Sequence, residues 1–353
     1  GSEMCIRDRG IAEARASYEG IAQATDPATF DSVVAVLDQP SRVLQRAVTV
    51  YFNQVSSDGT QPLLDIESEI TELLTELENE LYLNPAIFTR LDAVYRERHS
   101  SGLTPEQVRL TERFHQQFVL GGAALNDEDR ATLADLNLEI SAAQTEFSQQ
   151  VTRDINNAAV LITDEAELDG LSAGQIASAK RAAEEAGHSD GWLLTLILPT
   201  MQPLLESLNN RDVRERFFNA SIERGDATWQ MAAQIAVLRA RKAALLGFDD
   251  FASLAVADRT AGTAAAVDDL FAKTTAPAMA NADREADKIR ARASLDGIDD
   301  LQPWDWTFYS AKVQAEEFAV DTAELRPYFQ LDRVLEDGVF YAAERIYLSL
   351  IHI

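Results

Sequence analysis

The sequence predicts a mainly α-helical protein, and three observations carry that prediction. Apolar residues recur at steps of three and four through most of the chain, helix-start signals punctuate those runs, and only two short apolar segments have strand character. Hydrophobic residues make up 46% of the 353 residues, enough to build a packed core.

The first clear helix spans residues 63–83, where Ile66, Ile70, Leu73, Leu77 and Leu81 form one apolar stripe. Glu67, Glu69, Glu72, Glu76, Glu78 and Glu80 fall mostly off that stripe, toward water. Asn84-Pro85 then supplies a cap and a first-turn proline for a helix carrying Phe88, Leu91 and Tyr95. Thr104, Pro105 and Gln107 make a capping box for the next helix, which passes Phe114 and Phe118 and should stop at Gly121-Gly122.

Leu133, Leu136, Ile140, Ala143, Phe147 and Val151 continue the pattern over nearly twenty residues, started by Asn126 or Asp127. So narrow a seam should pack on another long helix, and the preceding helix is the expected antiparallel partner. Residues 158–163 and 192–198 read as strands, closed by Asp164 and Pro199. Between them, Ser172 and Gln175 form a second capping box for a helix that ends at Gly187. The three elements together read as a strand–helix–strand insert in a helical protein.

Helices resume at Leu204. Asn209-Asn210 precedes one through Val213, Phe217 and Phe218, and residues 228–246 form another, stopped by Gly247. A helix with Val267, Leu270 and Phe271 follows Thr263, then a charged stretch over 281–293 suited to a solvated face. Residues 297–303 read as a turn. Glu336-Asp337-Gly338 reads as a turn or kink before a helix at Val339-Phe340.

Charge narrows the function classes. Against 31 basic residues stand 58 acidic ones, a formal charge of −27. A surface so negative repels phosphate backbones and anionic headgroups, so neither nucleic acid nor membrane is an expected partner. No run approaches the ~20 apolar residues of a membrane span. The single cysteine, Cys5, rules out a disulfide framework.

Candidate chemistry is sparse. Glu112-x-x-His115 and Glu185-x-x-His188 have the spacing of a carboxylate-bridged di-iron site, but Gly187 breaks the second pair and His115 sits one residue off the apolar face. No Gly-x-Ser-x-Gly elbow exists, and Asp249-Asp250 and Asp299-Asp300 lack the alternating oxygen donors of a calcium loop. Trp304, Trp306, Phe308, Tyr309, Tyr328 and Phe329 could line a groove; the favoured reading is an aromatic core, with Asp305 capping a helix by bonding an N–H two or three residues on.

Residues 301–347, LQPWDWTFYSAKVQAEEFAVDTAELRPYFQLDRVLEDGVFYAAERIY, resemble a block of the thimet-oligopeptidase-like zinc metallopeptidases, family M3. The PWDWTFY run is most similar to the peptidyl-dipeptidase branch. The resemblance is diffuse to about residue 190 and sharper through NNRDVRERFFNASIERGD at 209–226 and AALLGFDDFASLAVADR at 243–259. It implies a two-lobed, mostly helical peptidase with a deep channel, a zinc ion on the channel floor and short peptides as substrates. It also implies that this block lies upstream of a His-Glu-x-x-His helix. No such signature occurs here: His99, His115, His188 and His352 include no pair four residues apart. No catalytic, cofactor-binding or metal-binding residue is therefore assigned in this chain. Zinc is expected in the full-length parent and not in this piece.

The expectation is thus a fragment: a multi-helix N-terminal lobe supplying channel wall, inactive alone, whose partner is a missing C-terminal catalytic lobe. The parent would release C-terminal dipeptides in the cytoplasm; an oligoendopeptidase of the same family is the nearest alternative, a non-catalytic helical interaction module the more distant one. Residues 3–9 (EMCIRDR) and 348–353 (LSLIHI) resemble translated sequencing adapter. The expected organisation is an artefact at 1–9, a helical hairpin region at 10–157 and the β-containing insert at 158–200. A helical region at 201–298, the start of the catalytic lobe at 299–347 and a second artefact at 348–353 complete it. A fragment should expose an unpaired apolar surface; a complete scaffold should not.

Overall fold

The computed structural model describes residues 2–39, 41–318 and 325–347. The expected helical class is what these residues adopt. In chain order the first helices are α1 Ser2–Gln23, α2 Ala35–Leu37, α3 Arg42–Asp58, α4 Gln61–Asp65 and α5 Glu67–Tyr82. They are followed by α6 Pro85–Glu97, α7 Pro105–Leu120 and the 31-residue α8 Asp127–Asn157. Strand β1 Val160–Ile162, helix α9 Ala173–Glu185 and strand β2 Trp192–Leu194 come next. Then follow α10 Leu198–Ser207, α11 Arg211–Glu223, α12 Trp229–Leu245, α13 Phe251–Val256, α14 Ala264–Leu295 and α15 Pro303–Phe318.

The chain forms two compact units, each built from two separated stretches. One comprises residues 1–157 with 224–275, the other 158–223 with 276–353. Residues 1 and 348–353, expected to be adapter sequence, lie outside the described residues; residues 3–9 form part of α1.

In the first unit the caps expected at Asn84, Thr104 and Asn126 each hold a helix start. Asn84 Oδ1 accepts from the Ala86 and Ile87 N–H groups, and Thr104 and Gln107 exchange side-chain and backbone bonds. Asn126 Oδ1 accepts from the Asp129 N–H at the head of α8. Buried Ile21, Val33, Val34, Ile87, Leu91, Val94, Phe118 and Ala123 make the main core, with the Tyr82 ring edge-on to Phe118 at 5.1 Å. Ile11, Ala14 and Leu77 pin α1 to α5.

The long seam is real, but its partner differs from the expected one. Leu136, Ile140 and Ala143 of α8 bury against Ile235 and Leu238 of α12, and α5 packs along α8 as well. The preceding helix, α7, pairs instead with α6. Seam periodicity fixes which face is buried and leaves the choice of partner to long-range packing.

In the second unit the strand–helix–strand insert is present, with strands of only three residues. They pair antiparallel with Val160 opposite Leu194, Leu161 opposite Leu193 and Ile162 opposite Trp192. Residues after Leu194 leave the ladder, and α10 begins at Leu198 with Pro199 in its first turn, earlier than the helix expected from Leu204. Asn210 Oδ1 caps α11 through the Asp212 and Val213 N–H groups. Ile289, Ala293, Phe308 and Tyr309 form a core between residues of α14 and α15.

Gly170 occupies the turn before α9 at φ +95°, where a methyl group would also overlap the Ser207 carbonyl oxygen. The left-handed backbone alone costs a non-glycine residue about 1–2 kcal/mol. Gly170→Ala is therefore expected to lower stability by at least about 2 kcal/mol once the overlap is added, read as a lower urea midpoint. An unchanged midpoint would mean that the turn relaxes freely.

The stretch from Leu325 to Tyr347 has no buried side chain among its described residues. It exposes Tyr328, Phe329, Leu331, Tyr341, Ile346 and Tyr347. No turn interrupts the chain at Gly338: Val334–Phe340 is π-helical and continues directly into the helix Tyr341–Tyr347. A wide helical turn accommodates glycine here without ending the helix.

Candidate functional site

The histidines come first, because a catalytic zinc needs them. His99 and His188 are exposed, and His352 lies outside the described residues. His115 is committed elsewhere. Its Nε2 lies 3.2 Å from Asp92 Oδ1, and its ring stacks on Tyr95 at 3.8 Å. Glu112, three residues earlier, pairs with Arg98 at 3.2 Å and with Arg109 at 3.5 Å. The hydrogen bond from Arg98 holds the Glu112 carboxyl below the usual carboxylate range. The Glu112–His115 motif is thus divided between two separate sets of partners. Gly187, at φ +85°, ends α9 with the His188 N–H bonded back to the Ala183 carbonyl, so Glu185 and His188 do not share a helix. Among the described residues no three His, Cys, Asp or Glu side chains converge. This donor set does not fit a zinc ion or a di-iron pair.

The aromatic run of α15 is organised by a buried carboxylate. Asp305 is fully buried in the first turn, where both its oxygens accept from Arg211 Nε at 3.1 Å and Oδ2 accepts from Arg211 Nη2 at 2.7 Å. Arg214, itself 2% exposed, donates Nη2 to Oδ1 at 2.9 Å. Its Nη1 reaches the Leu208 carbonyl at 2.7 Å and the Asn209 carbonyl at 3.1 Å. The guanidinium also lies over the Phe308 ring, 4.0 Å from its centre. Burial alone would push the Asp305 carboxyl up; the bonds from Arg211, Arg214 and the Gln302 N–H outweigh it and leave the carboxyl below its ordinary value.

Asp305 does bond a helix-start N–H, but the direction is the reverse of the one expected. Its Oδ2 accepts from Gln302, three residues back, and its main work is the double arginine pair. The aromatic residues divide accordingly. Phe308 and Tyr309 are core, Trp304 tilts against Phe218 at 6.3 Å, and Trp306, Tyr328 and Phe329 face solvent. A sequence signal for this cluster existed in Arg211-x-x-Arg214, whose second arginine falls on the face of Val213 and Phe217.

A second polar constellation lies in the first unit, in a cavity of about 270 Å³ lined by α5, α8 and α12. Lys242 Nζ donates to Asn137 Oδ1 at 2.7 Å, and Asn137 Nδ2 donates to Asn79 Oδ1 at 2.7 Å. Thr75 and Ser141 hydroxyls are 2.9 Å apart on the same wall. Glu78 also lines the cavity and is itself an exposed residue. Burial nevertheless pushes its carboxyl up, partly offset by Lys242, and pushes the Lys242 ammonium down, partly offset by Glu78. No direct ion pair joins them. Sequence reading missed this set; Asn137 and Lys242, polar groups one residue beside buried Leu136 and Ala243, were the available signal.

Beyond these two arrangements, no helix among the described residues is long and apolar enough to cross a membrane. The structure thus presents a helical scaffold in which Asp305 is tied to two arginines. In comparison with known proteins, residues 204–349 match the sequence profile of Peptidase family M3, and the chain is similar to several peptidases. The relatives are specific. The chain is 35% identical to the dipeptidyl carboxypeptidase of Escherichia coli (strain K12), over 96% of this chain and 51% of that protein. It is 34% identical to the dipeptidyl carboxypeptidase of Salmonella typhimurium, with the same coverage. Against oligopeptidase A of Salmonella typhimurium the identity is 26%, again over 96% of this chain and 51% of the relative. The chain spans about half the length of the curated relatives it matches.

Proposed function

We propose that this chain is part of a zinc-dependent metallopeptidase that removes dipeptides from the C-terminus of short peptides in the cytoplasm. The observation that carries the reading is the gradient of similarity: 35% identity to a dipeptidyl carboxypeptidase against 26% to an oligopeptidase A, over the same 96% of the chain. On this reading the 353 residues supply scaffold and channel wall. On the same reading no catalytic residue or metal ligand is assigned among the described residues, where no three His, Cys, Asp or Glu side chains converge. The ligands and the group that takes the water proton belong to sequence outside these residues, in a catalytic lobe that is this chain's partner. The exposed apolar surface from Leu325 to Tyr347 supports the proposal, since burying it requires further protein.

The test compares two proteins on one blocked tetrapeptide. The present chain is expected to release no dipeptide. The product of the same gene read past Tyr347, carrying His-Glu-x-x-His, is expected to release the C-terminal dipeptide and to stop when zinc is chelated. Cleavage at internal bonds of longer peptides would instead favour an oligoendopeptidase. A gene that closes soon after Tyr347, with no hydrolysis, would overturn the peptidase reading and leave a helical interaction module.

A further inference from the structure

The helix over residues 331–347 in the second unit lacks a cover, and the peptidase reading leaves open what kind of surface supplies one. Leu331–Arg333, Val334–Phe340 and Tyr341–Tyr347 run on without a break, and among the described residues their substantial contacts are with one another. A helix of about four turns with no packed face is marginal in water, because helical stability in proteins comes mostly from burying one side. Its middle is π-helical, a rare geometry in itself. Leu331, Val339, Tyr341, Ile346 and Tyr347 stand exposed along it, more apolar surface than a solvated helix normally shows.

The polar groups on this helix narrow what fits. Glu336, Asp337, Phe340, Tyr341 and Glu344 line one shallow groove of about 370 Å³. Asp337 has Arg333 Nε at 3.7 Å, whereas Glu336 and Glu344 have no ion partner among the described residues. Two rings bracketed by carboxylates suit a guanidinium group, whose plane stacks on an aromatic face while its edge pairs with carboxylate oxygens. A purely apolar partner fits badly, since it would strand both glutamates in a dry interface. A second copy of this chain fits no better: it would bring like carboxylates together in a molecule of net charge −27.

From these observations we infer that the groove seats a cationic segment of the catalytic lobe proposed above. Its basic groups meet Glu336 and Glu344, and its apolar side chains cover Phe340 and Tyr341. The inference rests on the peptidase reading, which supplies the occupant. The chain spans 51% of the dipeptidyl carboxypeptidase it resembles, so the other half of such a protein has room for the segment.

The experiment pairs the 353-residue chain with the product of the same gene read past Tyr347. Amide hydrogen exchange, read by mass spectrometry over residues 331–347, is expected to be fast in the short chain and protected in the longer product. Glu336→Gln combined with Glu344→Gln is expected to lower the urea midpoint of the longer product by roughly 0.5 M or more and to leave the short chain unchanged. Glutamine keeps the shape and removes only the charge, so that loss reports a cation. Should the double variant not fold, Glu344→Gln alone gives the comparison. Fast exchange in both proteins, protection of the short chain that grows with its concentration, or a midpoint of the longer product indifferent to the lost charges would overturn the inference. A gene that closes soon after Tyr347 would overturn it together with the peptidase reading. Protection in a longer product that releases no dipeptide would sink that reading and leave the inferred contact standing.

Discussion

Asp305→Ala is expected to cost roughly 3–5 kcal/mol of stability, the penalty for leaving buried arginine charge without its partner. Arg214 is almost wholly enclosed, and its remaining contacts, two carbonyl oxygens and the face of Phe308, soften the charge without neutralising it. Asp305 also holds the first turn of α15 through the Gln302 N–H, so the loss falls on helix start and core together. Tryptophan fluorescence during urea denaturation is a suitable readout, because Trp304 and Trp306 flank the altered residue. Asp300→Asn is the control: its exposed carboxylate accepts from Gln302 and acts on Arg211 without a side-chain hydrogen bond to it, so it should change the midpoint little. A loss below about 1 kcal/mol for Asp305→Ala would show that water enters and solvates the arginines.

The same pair makes a pH prediction. The Asp305 carboxyl is held below its ordinary value in the folded protein, so its ionised form favours folding. That contribution is fully present above the ordinary aspartate range of about 4 and is lost as pH falls through the lowered folded value. Acid unfolding should therefore be shallower in Asp305→Asn than in the unaltered chain when both are scanned below that range.

Phe118→Ala is expected to cost about 3–5 kcal/mol through the cavity it leaves. Phe118 has no exposed surface and meets the Tyr82 ring at 5.1 Å and the Phe88 ring at 6.4 Å, beside fully buried Ile87 and Leu91. Neighbours this crowded in regular helices cannot collapse into the gap. Far-UV circular dichroism against urea measures the loss, and Phe118→Leu should give a much smaller one. Similar losses for both variants would place the cost in the lost ring contacts with Tyr82 and Phe88 rather than in the volume.

What the sequence disclosed and what it hid follow from the range of each interaction. The capping boxes of Thr104–Gln107 and Ser172–Gln175 join residues three apart, and both were legible. The seam of α8 was legible as a face, because periodicity is a local property. Its pairing with α12 was not, because Ile235 and Leu238 lie about a hundred residues further on. Asp305 was readable as a helix-start residue, while its arginines, 91 and 94 positions earlier, were not visible as partners. Gly338 misled because a breaker signal presumes α-helical geometry, and that turn is π-helical. The polar cavity escaped for the same reason as the ion cluster: Glu78, Asn137 and Lys242 are each unremarkable alone and meet only in three dimensions.

The threading of the chain through its two units also sets a timetable for synthesis. Residues 158–223 belong to the second unit and are made before α12, the helix that covers the seam of α8. From Asn157 to Leu245 a ribosome adds 88 residues, about 4–18 s at ordinary elongation rates. Throughout that interval Leu136, Ile140 and Ala143 lack Ile235 and Leu238, the α12 residues that complete their cluster. The nascent protein is thus exposed to aggregation and to chaperone capture at one defined stage, which ends when α12 clears the exit tunnel.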